Sequence, residues 1–128
     1  MRRRVLLIAL LLAPGAISVA AAQAQTHPDV IAVQVRAAGS DRFDFDVTVS
    51  SPYDTPQRYA DGFRVGSPDG KTIHGERKLW HDHAGEQPFT RDLHGVRIPP
   101  GTRQVRVQAR DQLHGYGGRS IEVMLPGR

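Results

Sequence analysis

The 128 residues predict an all-β chain, a single seven-stranded sandwich of immunoglobulin-like or fibronectin-III-like type, with a small closed β-barrel as the alternative. Three observations carry this expectation. Apolar residues alternate with a period of two, the pattern of a strand with one buried face. Thirteen glycines and nine prolines recur too often to leave room for a helix of useful length. Turn-forming clusters separate the alternating runs at short, regular intervals, as several short strands in one all-β domain require.

The chain opens on a different pattern. Met1-Arg2-Arg3-Arg4 is basic, Val5 to Leu12 is uninterruptedly apolar, and Ala22-Gln23-Ala24 offers small residues at a cleavage site. Residues 1–24 therefore predict a cleaved export signal, and residues 25–128 the β-sandwich domain. The apolar run is too short for a membrane helix of about 20 residues, so no membrane span is expected in the mature chain. With no cysteine there is neither a lipid acceptor nor a disulfide framework, which points to a periplasmic or secreted protein. Removing the three arginines lowers the formal charge from +4 to +1. The remaining charges are interleaved, as in Asp41-Arg42 and Arg91-Asp92, which excludes the clustered basic surface that nucleic-acid binding needs.

Seven strands follow in order, near 30–36, 42–50, 58–66, 71–80, 88–97, 103–111 and 119–125. Their core faces are Ile31, Val33 and Val35, then Phe43, Phe45, Val47 and Val49, and later Val105, Val107 and Ala109 and Ile121, Val123 and Leu125. Ile73 and Leu79 set the odd positions of the fourth strand inward. Turns fall at Ala38-Gly39-Ser40-Asp41, Ser51-Pro52-Tyr53-Asp54, Ser67-Pro68-Asp69-Gly70 and Pro99-Pro100-Gly101. His114-Gly115-Tyr116-Gly117-Gly118 reads as a tight loop. A phosphate loop would open a helix, and here a strand pattern follows. His74 and His94, on even positions, are expected to face solvent.

If successive strands alternate in direction, the connections after the second, fourth and sixth strands gather at one pole. These are residues 50–57, 81–87 and 112–118. Parity aims His81, His83 and Asp111 inward at the rim of the core, where each must find a partner. Trp80, on an even position, points away from the core.

A transition-metal site is one chemistry for this pole, because residues i and i+2 on a strand project from the same face and two imidazoles can reach one ion. His81 and His83 have that spacing, with His114 and Glu86 as further ligands for zinc(II) or copper(II) and Asp111 as an orienting acceptor. Hydrogen bonding alone is the other reading, with the rings donating to loop carbonyls and Arg91 pairing with Asp111. The exposed Thr26-His27-Pro28 is a separate weak copper ligand. Tyr53, Asp54, Tyr59, Trp80 and Tyr116 supply partner-contact area for an envelope protein or glycan. Acid–base catalysis, with His83 or His114 as base, is the last alternative. The chain offers no nucleophile motif to support it, so no catalytic residue is assigned and a non-enzymatic protein is expected.

The segments Tyr59-Ala60-Asp61, Pro68-Asp69-Gly70, His81-x-His83-x-x-Glu86-Gln87-Pro88-Phe89-Thr90-Arg91 and Asp111-x-x-His114-Gly115-Tyr116-Gly117-Gly118 together resemble a family of small exported bacterial proteins without an assigned activity. Asp82 stands where that family would place proline. The resemblance implies export and no particular chemistry. The resulting expectation is an exported, non-catalytic binding or structural module that uses the loop pole, with a periplasmic zinc(II)/copper(II)-binding protein as the alternative.

Overall fold

The structure is a computed structural model and describes residues 25–128; the export signal read from residues 1–24 lies outside the described residues. Seven strands form two antiparallel sheets: β1 (Asp29–Ala37), β2 (Arg42–Ser50), β3 (Ala60–Gly66), β4 (Ile73–Lys78), β5 (Phe89–Arg97), β6 (Gln104–Asp111) and β7 (Gly115–Met124). Their orders are β1-β2-β5 and β4-β3-β6-β7. The sheets stay open and face each other, which gives the sandwich and excludes the closed barrel. Relative to an antibody constant domain, the fourth strand has left the first sheet and pairs with the third.

Alternation builds the core. Phe43, Phe45, Val47 and Val49 of β2, Phe63 and Val65 of β3, and Val105, Val107 and Ala109 of β6 are all buried between the sheets, with Phe89, Val96, Ile98 and Leu125. Each fully buried side chain of this kind contributes about 1.5–3 kcal/mol over an exposed one. Arg77 of β4 closes one flank by donating to the Asp92 backbone carbonyl of β5 at 2.7 Å. On the other flank β1 lies against β7.

Three expectations fail for one reason, one or two extra residues in a ladder. In β1 the register shifts between Val30 and Ala32, so Val30 is buried and Ile31 is exposed. Opposite Val65 and Gly66 of β3, the shift falls at His74: Ile73 is exposed and His74 is half-buried rather than solvent-facing. Burial pushes the His74 imidazole below its ordinary pKa, and its Nε2 is buried without a partner. β7 carries the largest shift, with Val107 opposite Ile121 but Ala109 opposite Gly117. β7 thus begins at Gly115, four residues before its expected start. Gly115 and Gly118 have positive φ as expected, but they lie in the strand, and only residues 112–114 form the loop.

His94 is exposed, as its parity predicts, yet it is not idle. Its Nε2 lies 2.6 Å from Asp92, and Asp44 stands near its Nδ1. The hydrogen bond to Asp92 raises its pKa, with Asp44 adding to the effect.

Candidate functional site

The connections after β2, β4 and β6 do meet at one pole, and buried carboxylates hold them together. Asp54, in the β2–β3 connection, accepts from the Ala60 amide through Oδ1 at 3.0 Å and from the His83 amide through Oδ2 at 3.0 Å. It thereby joins its own connection to the one after β4. Gln87 repeats the link: its Oε1 accepts from the Ser51 amide at 2.8 Å and its Nε2 donates to the His83 carbonyl at 3.1 Å.

Asp111, fully buried at the end of β6, is the second hub. Its Oδ2 accepts from the Leu113 and His114 amides at 2.9 and 2.8 Å, which folds the β6–β7 loop back on itself. Its Oδ1 accepts from Tyr53 Oη at 2.7 Å and from Arg58 Nε at 3.2 Å. Burial alone would raise the Asp111 pKa. The donors Tyr53, His114 N–H, Arg58 and Leu113 N–H outweigh it and hold the carboxyl below its usual range. Burial, and then the bond to Asp111, raises the Tyr53 phenol. The partner of Asp111 is thus Arg58 and not Arg91, which pairs instead with Glu86 through Nη2 and Oε2 at 2.9 Å.

The histidines divide between two places. His83 is buried and stacks on Phe89, with ring centroids 4.0 Å apart and planes within 12°. His81 leans on His83 from outside at 4.9 Å, its Nδ1 turned to the Asp82 carbonyl at 2.9 Å. Burial lowers the His83 pKa first, then the charges of Arg91 and His81. His83 thus serves as a slab in an aromatic stack. His114 sits instead beside His27, with ring centroids at 5.9 Å.

His27 is not free either. The run before β1 lies across the pole: Gln25 donates to the Ser50 carbonyl at 2.9 Å, Arg58 donates to the Thr26 carbonyl at 2.6 Å, and Pro28 is fully buried. The His27 ring covers Gly117 so closely that a Cβ there would overlap it, which is why glycine occupies that position of β7. Among the described residues, no three His, Asp or Glu side chains come together to hold a metal ion.

The exposed chemistry lies on the flank of the pole. On the outer face of the four-stranded sheet, a cleft of about 510 Å³ opens between the ends of β4 and β7, within the range of ~300–1,000 Å³ usual for small-ligand sites. Tyr59, Trp80 and Tyr116 bring aromatic rings to it, and Glu76, Lys78 and Arg110 bring charge. Trp80 is 78% exposed. Gly62 lines the cleft, and a Cβ there would come 2.7 Å from the Arg77 carbonyl oxygen, so glycine is required by the close approach of the β4 backbone. Arg110 is pinned to the Asp61 carboxylate, and Arg64 lies over the Tyr116 ring at 3.7 Å.

Of the predicted contact residues, then, Trp80 and Tyr116 line a recess, while Tyr53 and Asp54 are engaged inside the pole. Sequence reasoning missed Arg58 and Gln87 as ties. It also missed Glu76 and Lys78, although both share the even parity of Trp80.

Over 95 residues, 74% of this chain, the sequence is 37% identical to a protein of the archaeon Halomicrobium mukohataei named "Putative lipoprotein". The chain spans about half the length of that relative, 46% of it. No family model matches the chain, and no solved structure matches it. No helix among the described residues is long and apolar enough to cross a membrane.

Proposed function

We propose that this chain is an exported, non-catalytic binding module that contacts a component of the cell envelope through the aromatic cleft beside its loop pole. The observation that carries the reading is Trp80, a large amphipathic side chain left 78% exposed at the rim of a recess. Export is supported by the basic and apolar start of the chain and by the relative named as a lipoprotein, a class of exported protein. The non-catalytic part is supported by how the carboxylates are used. Asp54 and Asp111 each accept from backbone amides, and neither orients an imidazole as a general base requires.

The test is retention on isolated envelope preparations. The protein is expected to be retained, and Trp80→Ala to lose retention while keeping the parent melting temperature. Equal retention of both proteins would overturn the reading.

A zinc(II) or copper(II) site remains a second reading, favoured by one observation: the His81 and His83 rings are neighbours, and Nδ1 of His83 is buried without a hydrogen-bond partner. The other ligands expected from sequence stand elsewhere, Glu86 on Arg91 and His114 beside His27. Stoichiometric zinc(II) binding that His81→Ala abolishes and His27→Ala spares would favour it. Equal loss from both substitutions would count against it.

A further inference from the structure

We infer that the ligand of this cleft is an uncharged oligosaccharide, an inference that rests on the binding reading above and gives it a chemical class. The first argument is charge. The ionisable groups that line the cleft balance: Arg110 is neutralised by Asp61, and Arg77 turns away to pair with Asp92. Glu76 and Lys78 remain, two positions apart on one face of β4, and neither makes an ion pair or side-chain hydrogen bond with another described residue. The Lys78 ammonium covers one side of the Trp80 ring, 5.4 Å from its centroid, leaving the other side to a ligand. An anionic ligand would face Glu76 and a cationic one would face Lys78. A neutral ligand rich in hydroxyl groups can donate to the carboxylate and accept from the ammonium without leaving either charge opposed.

The second argument is the aromatic surface. Trp80 is exposed over most of its area, with Tyr59 and Tyr116 on the same recess. A sugar ring presents a face of C–H groups that packs on an indole and a rim of hydroxyls that needs polar partners. Both demands are met within the cleft, by Trp80 for the face and by Glu76, Lys78 and Arg110 for the rim. A wholly apolar ligand would leave Glu76 and Lys78 desolvated without an ion-pair partner, which is costly. An added peptide strand would use the open backbone edge of β4 rather than its outer face.

The test uses the only tryptophan of the chain as its own probe. The full chain is titrated with defined neutral oligosaccharides of three to six units, β-1,4-linked glucose, N-acetylglucosamine and mannose and α-1,4-linked glucose, following Trp80 emission and, in parallel, heat by calorimetry. The expected result is saturable one-to-one binding by one of the series, with a Kd of roughly 10 μM to 1 mM. That affinity should be unchanged between low and high salt, because screening acts on charged ligands. Trp80→Ala, read by calorimetry, should weaken binding by about tenfold or more, and Glu76→Gln by several-fold. Leu113→Ala, at an exposed position of the β6–β7 loop, should bind as the parent does.

Three results would overturn the inference: no binding by any of these oligosaccharides, binding unaltered in Trp80→Ala, or a preference for uronate-bearing oligosaccharides with steep loss in salt. Oligosaccharides failing while envelope retention still depends on Trp80 would refute the ligand class and leave the binding reading standing. Failure of both would refute both.

Discussion

The inside of the pole and the cleft on its flank are close neighbours built from the same kinds of side chain, and they use them in opposite ways. Inside, Asp54 and Asp111 are buried, and both oxygens of each carboxylate accept from groups far apart in the chain, so both side chains are tied to the fold. On the flank, Glu76 and Lys78 make no ion pair or side-chain hydrogen bond with another described residue, Lys78 stands over the Trp80 ring, and Trp80 faces solvent. A concentration of histidine and carboxylate in a sequence is therefore not by itself a site. When such residues aim inward at the rim of a core, they become the joints that let loops pack without disulfides.

Substitutions should separate the two regions. The largest effect is expected from Asp111→Ala, which strands the Arg58 guanidinium, the Tyr53 hydroxyl and two backbone amides together. Loss of one partner of a buried charge network costs about 3–5 kcal/mol, measurable by urea denaturation. Asp54→Ala frees two buried amides and should cost about 2 kcal/mol by the same assay. Trp80→Ala should change stability by less than about 0.5 kcal/mol, because an exposed side chain holds nothing in place. If Trp80→Ala proved as damaging as Asp54→Ala, the division between joint and surface would be wrong.

Acid titration gives a finer contrast. His83 has a folded pKa below the ordinary value of about 6.5, so the unfolded chain takes up its proton first, and stability falls as pH drops below that value. His74 acts in the same direction. His94, with a raised pKa, contributes stability that is fully present below about pH 6.5 and lost as pH rises through its folded value. Between pH 8 and 5, His83→Phe should therefore shrink the loss of stability on acidification, and His94→Ala should enlarge it. Matched shifts in the same direction would refute the assignment.

Much of this was legible from residue order. The period of two in β2 and β6 and the turn clusters between strands fix seven strands and two poles, because both are local properties of the chain. The three ladder shifts were not legible, since an extra residue shows only against the partner strand. The start of β7 was hidden by its glycines, which read as loop, whereas Gly117 is a strand residue that makes room for the His27 ring. The metal set dispersed for a related reason. Sharing a pole does not bring residues together when β3 lies between β4 and β6, since each strand spacing adds about 4.8 Å. Trp80 was legible as outward-facing from parity alone. The recess beside it was not, because it depends on β4 and β7 standing on one face with β3 and β6 between them.

The clamped run from Gln25 to Pro28 has a mechanical consequence. It leaves the molecule at the loop pole, whereas Arg128 is fastened at the opposite pole, to the Asp41 carboxylate at 2.7 Å and the Pro99 carbonyl at 2.6 Å. Pulling on the two ends would thus drag β1 lengthwise against β2, loading its row of hydrogen bonds together rather than one after another. A domain strung this way between two attachment points should yield at higher force than the same domain held at the ends of β1 and β2. Single-molecule stretching along the two directions would measure the difference.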